Sequence, residues 1–134
     1  MPNQFIHPEG ILPDVVHGYT SVVVSTGKKM VHCAGQVPMD ADLNLIGDNL
    51  ADQMDQSFKA IRIALAAGGA TPADVVRGRI YIVDYNVDMV ATVVEKTNTF
   101  YAPGEPPPST LIGVQSLALP GIMVEIEVTA VLDD

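Results

Sequence analysis

Pro106-Pro107-Pro108-Ser109-Thr110-Leu111-Ile112-Gly113-Val114 is followed by Leu119-Pro120-Gly121 and then by Val124-Glu125-Ile126-Glu127-Val128. A turn-rich run feeds one strand, a Pro-Gly turn reverses the chain, and a second strand follows. Side chains alternate across a strand, so Glu125 and Glu127 point to the same face. Two like charges at that spacing on an otherwise apolar strand are costly unless their face is wet or lines a site. What that face looks at is the first question this chain poses.

Outward from this stretch, the remaining elements follow from periodicity and punctuation. Tyr19 to Ser25 is β-branched and reads as a strand, with Thr26 to Lys29 as a turn and Met30 to Ala34 as its hairpin partner. Pro38 breaks that ladder because it has no N–H to donate. Asn49 to Ala67 carries Leu50, Met54, Phe58, Ile61 and Leu65 at steps of three and four, which makes one apolar helical stripe. Asp48 or Asn49 can cap this helix, and Gly68-Gly69 ends it. Val75 to Val83 reads as a strand with Arg77 and Arg79 on one face and Val76, Gly78, Ile80 and Ile82 on the other. Val87 to Tyr101 reads as a second helix, ended by Pro103. Strands near Thr110 to Leu117 and Ile122 to Leu132 complete the order. Helices segregated to one face of a mixed sheet predict an α+β two-layer domain over 1–134.

Composition narrows the function classes. The 134 residues suit one domain with one core, and 48% hydrophobic against 17% charged residues marks a globular chain. No apolar run approaches the roughly 20 residues of a membrane span, and Met1-Pro2-Asn3-Gln4-Phe5 has neither the basic nor the apolar part of a secretory leader. The single cysteine, Cys33, excludes an internal disulfide and fits a reducing, cytoplasmic setting. A net charge of -9 with seven Lys and Arg argues against a nucleic-acid surface, which needs clustered cations. The aliphatic content exceeds what one small core can bury, which points to identical neighbours and a homo-oligomer.

Three stretches resemble the YjgF/RidA family: Cys33-Ala34-Gly35-Gln36-Val37-Pro38, the helix Asn49 to Ala67 with Gly69 and Asp74-Val75-Val76 after it, and Leu119-Pro120 with Val124-Glu125-Ile126-Glu127. The resemblance runs through nearly the whole chain in order and spacing. It implies a chorismate-mutase-like fold and a homotrimer with a small-molecule cleft at each subunit interface. It also implies hydrolysis of reactive enamines and imines to a keto acid and ammonia, with no metal and no cofactor. Family members of this kind clamp the substrate carboxylate with an arginine; the matching position here is Ser109. A serine cannot replace a planar, bidentate, always-charged partner. The ligand then lacks a carboxylate, or a neighbouring subunit supplies a cation, or the deaminase activity is weak or lost.

The resemblance also distributes roles. Glu125 matches the glutamate that positions the hydrolytic water, a task suited to a partly buried carboxylate. Glu127 shares its face and reads as a solvated or structural carboxylate. Tyr19 matches a pocket tyrosine, and Gly35 a glycine whose backbone approaches the substrate. Its plain alternative is a bulge glycine needed only for φ. Ser109 and Thr110 can offer hydroxyls to a ligand or simply cap a turn. Cys33 lies in the ligand-facing strand, and otherwise reads as a small buried hydrophobe. His32 should point away from Cys33, so the two make no dyad. His7, His17 and His32 lack a metal-site spacing. The order of readings is an imine or enamine deaminase, then a non-catalytic small-molecule-binding trimer, then an endoribonuclease.

Overall fold

The computed structural model describes residues 3–134; Met1 and Pro2, the start of the segment read for a leader, lie outside the described residues. The elements are β1 (Gln4–Ile6), β2 (Val22–Val24), β3 (Lys29–Gln36), α1 (Leu50–Ala67), β4 (Val75–Val83), α2 (Val90–Tyr101), β5 (Ser109–Val114) and β6 (Val124–Leu132). The main sheet runs β3-β6-β4-β5, with β6 antiparallel to both neighbours and β5 parallel to β4. A parallel pair cannot be joined by a tight turn, so α2 serves as the crossover between β4 and β5. Both helices cover one face of this mixed sheet, giving the α+β two-layer arrangement expected from the sequence. Among the described residues no helix is long and apolar enough to cross a membrane.

The helical stripe of α1 became the centre of the core. Met54, Ile61 and Leu65 are fully buried and Phe58 is nearly so, each worth about 1.5–3 kcal/mol of apolar burial. Asn49 caps the helix by accepting the Asp52 N–H at 2.9 Å. Phe58 stacks on Phe100 of α2 at 4.4 Å between ring centroids, and Tyr101 meets Phe100 edge-on at 4.9 Å. These rings join the helices, while Val124, Ile126, Val128 and Ala130 of β6 meet them from the sheet.

Three readings need correction. Val22–Val24 does not pair with the strand after it; it pairs antiparallel with Gln4–Ile6, a strand the sequence did not announce. The intended turn at Thr26 to Lys29 instead docks on the end of β6, where the Lys28 N–H donates to Leu132 O at 2.9 Å. β3 therefore runs along β6 from Lys29↔Leu132 onward. Secondly, Val75 rather than Val76 occupies the core, because the β4–β6 register shifts between Val75 and Arg77. Lastly, the Pro-Gly turn does not fold β5 against β6: β4 lies between them.

Candidate functional site

β6 is buried on the helix side through Val124, Ile126 and Val128, so Glu125 and Glu127 project from the helix-free face. Across β4 their partners are Tyr81 and Arg79. Glu127 is satisfied within the chain: the Tyr81 hydroxyl donates to its Oε1, and Arg79 Nη1 lies 3.5 Å from its Oε2. That hydrogen bond, with desolvation adding, pushes the Tyr81 phenol above its ordinary range. This is the structural carboxylate expected of Glu127. Glu125, by contrast, has no hydrogen-bond partner among the described residues.

Room for Glu125 is made by Gly35. The β3–β6 register shifts between Cys33 and Gln36, so the strand bulges at this point. Gly35 is not in the left-handed region, so φ does not explain the glycine. A Cβ there would stand 2.0 Å from Glu125 Oε2. The missing side chain is the space the carboxylate occupies. The start of β6 is fixed by a residue the sequence reading passed over. Gln53, buried on α1, donates to Gly121 O at 2.9 Å and Gly47 O at 3.2 Å and accepts the Met123 N–H at 2.7 Å. A polar residue one place before Met54 of the apolar stripe was the available signal.

A second group of candidates lies on the opposite face. Ser109 and Leu111 of β5 face α2 and, with His17, Tyr19, Val93 and Thr97, line a cavity of about 240 Å³. The segment holding His17 and Tyr19 is built by Asp14, which is buried and accepts the Val15 N–H at 2.7 Å and the Ser21 N–H at 2.8 Å. His7 Nδ1 lies 2.9 Å from the same carboxylate and His7 Nε2 3.2 Å from Glu105. These bonds hold Asp14 well below the usual carboxylate range against the opposing effect of burial, and the bond to Asp14 raises His7. Gly18 closes the turn with φ 84°, where a Cβ would also press to 3.2 Å from the Val94 backbone.

The candidate residues thus separate. Tyr19 and Ser109 share the cavity; Gly35 and Glu125 share the helix-free face. Thr110, next to Ser109, points away from the cavity and accepts from Arg77 Nη2 at 2.9 Å. Cys33 packs against the core from the helix side, and burial pushes its thiol upward, so it does not face Glu125. His32 is exposed, with Nδ1 3.4 Å from Thr129 Oγ1, on the face opposite Cys33. His17 and Thr97 were missed as cavity residues. For His17 a signal existed: Asp14 and Gly18 bracket it as a capped turn directly before Tyr19. Among the described residues no three His, Cys, Asp or Glu side chains group as metal ligands.

The family model for Endoribonuclease L-PSP matches residues 11–132, and the chain belongs to this family, that of the YjgF/RidA proteins. Its fold is shared with the Rid-family protein YyfB from Yersinia pestis, described as of unknown function. That chain is 38% identical at a TM-score of 0.94, covering 98% of this chain and 100% of the other. Rv2704 of Mycobacterium tuberculosis, a YjgF/YER057c/UK114 family member, is 29% identical at a TM-score of 0.64, covering 97% and 99%. Escherichia coli TdcF, solved with bound serine, resembles it in fold at 24% identity and a TM-score of 0.68, covering 76% and 80%. None of the curated proteins compared with the chain matches it.

Proposed function

We propose that this chain is a hydrolase of a small imine or enamine, acting without metal or cofactor in a cleft between copies of a homotrimer. Within one chain the sheet separates Ser109 and Tyr19 from Glu125 and Gly35, so no single ligand can touch both groups. A neighbouring copy that brings its Glu125 face to the mouth of the cavity completes the cleft. In that cleft Glu125 holds a water against the C=N carbon. As the water oxygen bonds to that carbon, the C=N π pair moves to nitrogen and the first water proton passes through the carboxylate to that nitrogen; an enamine must first take a proton on its carbon to become the imine. The hydroxyl proton of the resulting carbinolamine then follows the same route to nitrogen, the C–N bond breaks with its pair on nitrogen, and a carbonyl and ammonia are left.

The observation that carries this reading is the pairing of an unpartnered carboxylate with a glycine whose absent side chain is the carboxylate's own space. The test is ammonia release from freshly generated 2-aminoacrylate and bulkier imines, on wild type and on Glu125→Gln. Turnover that falls about 10²–10⁴-fold in the variant while the ligand still binds supports the role; unchanged turnover removes it. Ser109 favours a second reading, a trimer that binds a small molecule without turning it over, because the carboxylate clamp of the family is missing there. Silence of both wild type and Ser109→Arg on every imine would favour that binder. An endoribonuclease is the weakest reading, given the net charge of -9, and salt-dependent RNA binding would be needed to revive it. The lone cysteine supports a cytoplasmic setting.

A further inference from the structure

The cavity beneath Ser109 has a charge character that separates ligands. Its walls are Val93, Leu111 and Ile80, the last 4% exposed. Among the described residues no Asp, Glu, Lys or Arg lines it. A carboxylate placed there would be desolvated with no cation in the lining to offset the cost. The polar side chains that line it are His17, Tyr19, Thr97 and Ser109. His17 Nδ1 lies 2.6 Å from Pro13 O. A carbonyl only accepts, so the bond puts the proton on Nδ1 and leaves Nε2 of the neutral ring as a lone-pair acceptor. His17 is exposed, at the rim of the cavity, and its Nε2 has no protein partner among the described residues, so it is open to solvent or to a ligand. Thr97, 3% exposed on the same wall, has a buried Oγ1 that is also without a partner.

We infer that this cavity takes an uncharged, branched aliphatic ligand that carries an N–H donor, and that His17 Nε2 is the atom that accepts it. His17 is thus a specificity-determining residue, and the ligand class is a neutral aliphatic imine or amide-like compound rather than an imino acid anchored by its carboxylate. The inference deepens the proposed function and rests on its cleft only for turnover; the cavity and its donor preference exist in each chain.

The experiment reads binding rather than turnover, so its failure and that of the Glu125 proposal are distinguishable. The full chain, with ¹⁵N-labelled histidine, is titrated at about pH 8, above the ordinary imidazole range, with 3-methylbutanamide and separately with 3-methylbutanoate. These probes share one aliphatic body and differ in donor and charge. The expected result is amide binding at least about tenfold tighter than carboxylate binding, with the His17 Nε2 resonance moving during the amide titration. His17→Phe, which keeps a flat ring without the lone pair, should weaken the amide by up to about tenfold, the worth of one hydrogen bond, and leave the carboxylate unchanged. Ser109→Arg should reverse the preference. Equal or tighter binding of the carboxylate to wild type overturns the inference, as does an amide-saturated protein whose His17 Nε2 does not move. Failure of the amide to bind at all overturns it too. The wild-type comparison and the histidine resonance stand even where His17→Phe does not fold.

Discussion

The two faces of the main sheet offer opposite kinds of chemistry. On the helix-free face charged groups are close together and largely paired: Tyr81 and Arg79 hold Glu127 and Arg77 holds Thr110, while Glu125 has no hydrogen-bond partner among the described residues. On the helix side the cavity between β5 and α2 is apolar, with unfilled polar atoms at His17 and Thr97. One face carries the unpartnered carboxylate; the other carries a ligand-sized space with no charged side chain among the described residues that line it. A strand alternates its side chains, so the same backbone can position both, but it cannot let them meet within one chain. The contrast makes a second copy a requirement of the proposed chemistry rather than an accessory to it.

Removing the space that Glu125 occupies should have the largest effect. Gly35→Ala puts a methyl where Glu125 Oε2 lies, and the carboxylate, as the end of a flexible side chain, moves aside. A misplacement of about 1 Å costs roughly 10²-fold in rate. The expected outcome is that loss in kcat with unfolding free energy changed by less than about 1 kcal/mol and probe binding at the His17 cavity intact. Loss of cavity binding together with turnover would break the separation of the two faces.

A smaller effect should follow from Gln53→Leu. The variant leaves the Met123 N–H and the Gly121 carbonyl without their buried partner, a loss of about 1–3 kcal/mol for a stranded polar group, measured by urea unfolding. Because Gln53 holds the entry to β6, turnover should fall more than amide binding does. An equal fall in both would place the effect on the whole fold.

The smallest effect belongs to the cavity side. His7 joins Asp14 to Glu105, just ahead of the prolines that lead into Ser109. Its folded-state pKa is raised above 6.5, first by the hydrogen bond to Asp14. A raised value means that protonated His7 stabilises the fold in full below the ordinary imidazole range, and that this contribution fades as pH climbs through the raised folded value. Thermal midpoints should therefore decline across that interval in wild type and decline less in His7→Gln. A wild-type midpoint that rises over the same interval would show that His7 is not charged in the fold.

Much of this was legible because it depends on local pattern. The stripe from Leu50 to Leu65 and the alternation through Val124 to Val128 are periodicities that packing only confirms, and the family likeness of the Gly35 and Glu125 segments follows from residue identity. What stayed hidden depends on register. Bulges at Val76 and beside Gly35 each shift a strand's alternation by one place, so Val75 took the core position given to Val76, and Cys33 turned inward. Ser109 and Thr110 look like a pair in sequence, yet as strand neighbours they serve opposite faces. β2 pairs with β1 while β3 pairs with β6 and stands at the edge of the main sheet, a choice of partner that no local pattern announces. His17 became a cavity residue only through the docking of its turn against Val94, a contact far along the chain.

The central claim is that a working cleft needs the Tyr19–Ser109 face of one copy and the Glu125 face of another. It is tested most directly by mixing two inactive variants, Glu125→Gln and Ser109→Trp, the second filling the cavity, after unfolding and refolding them together. In a ring of identical head-to-tail contacts, random mixing gives about a quarter of the clefts both intact faces. The account predicts that imine hydrolysis returns to about a quarter of the wild-type rate. Separately refolded variants that are silent, and a mixture that remains silent while exchanging subunits, would contradict it.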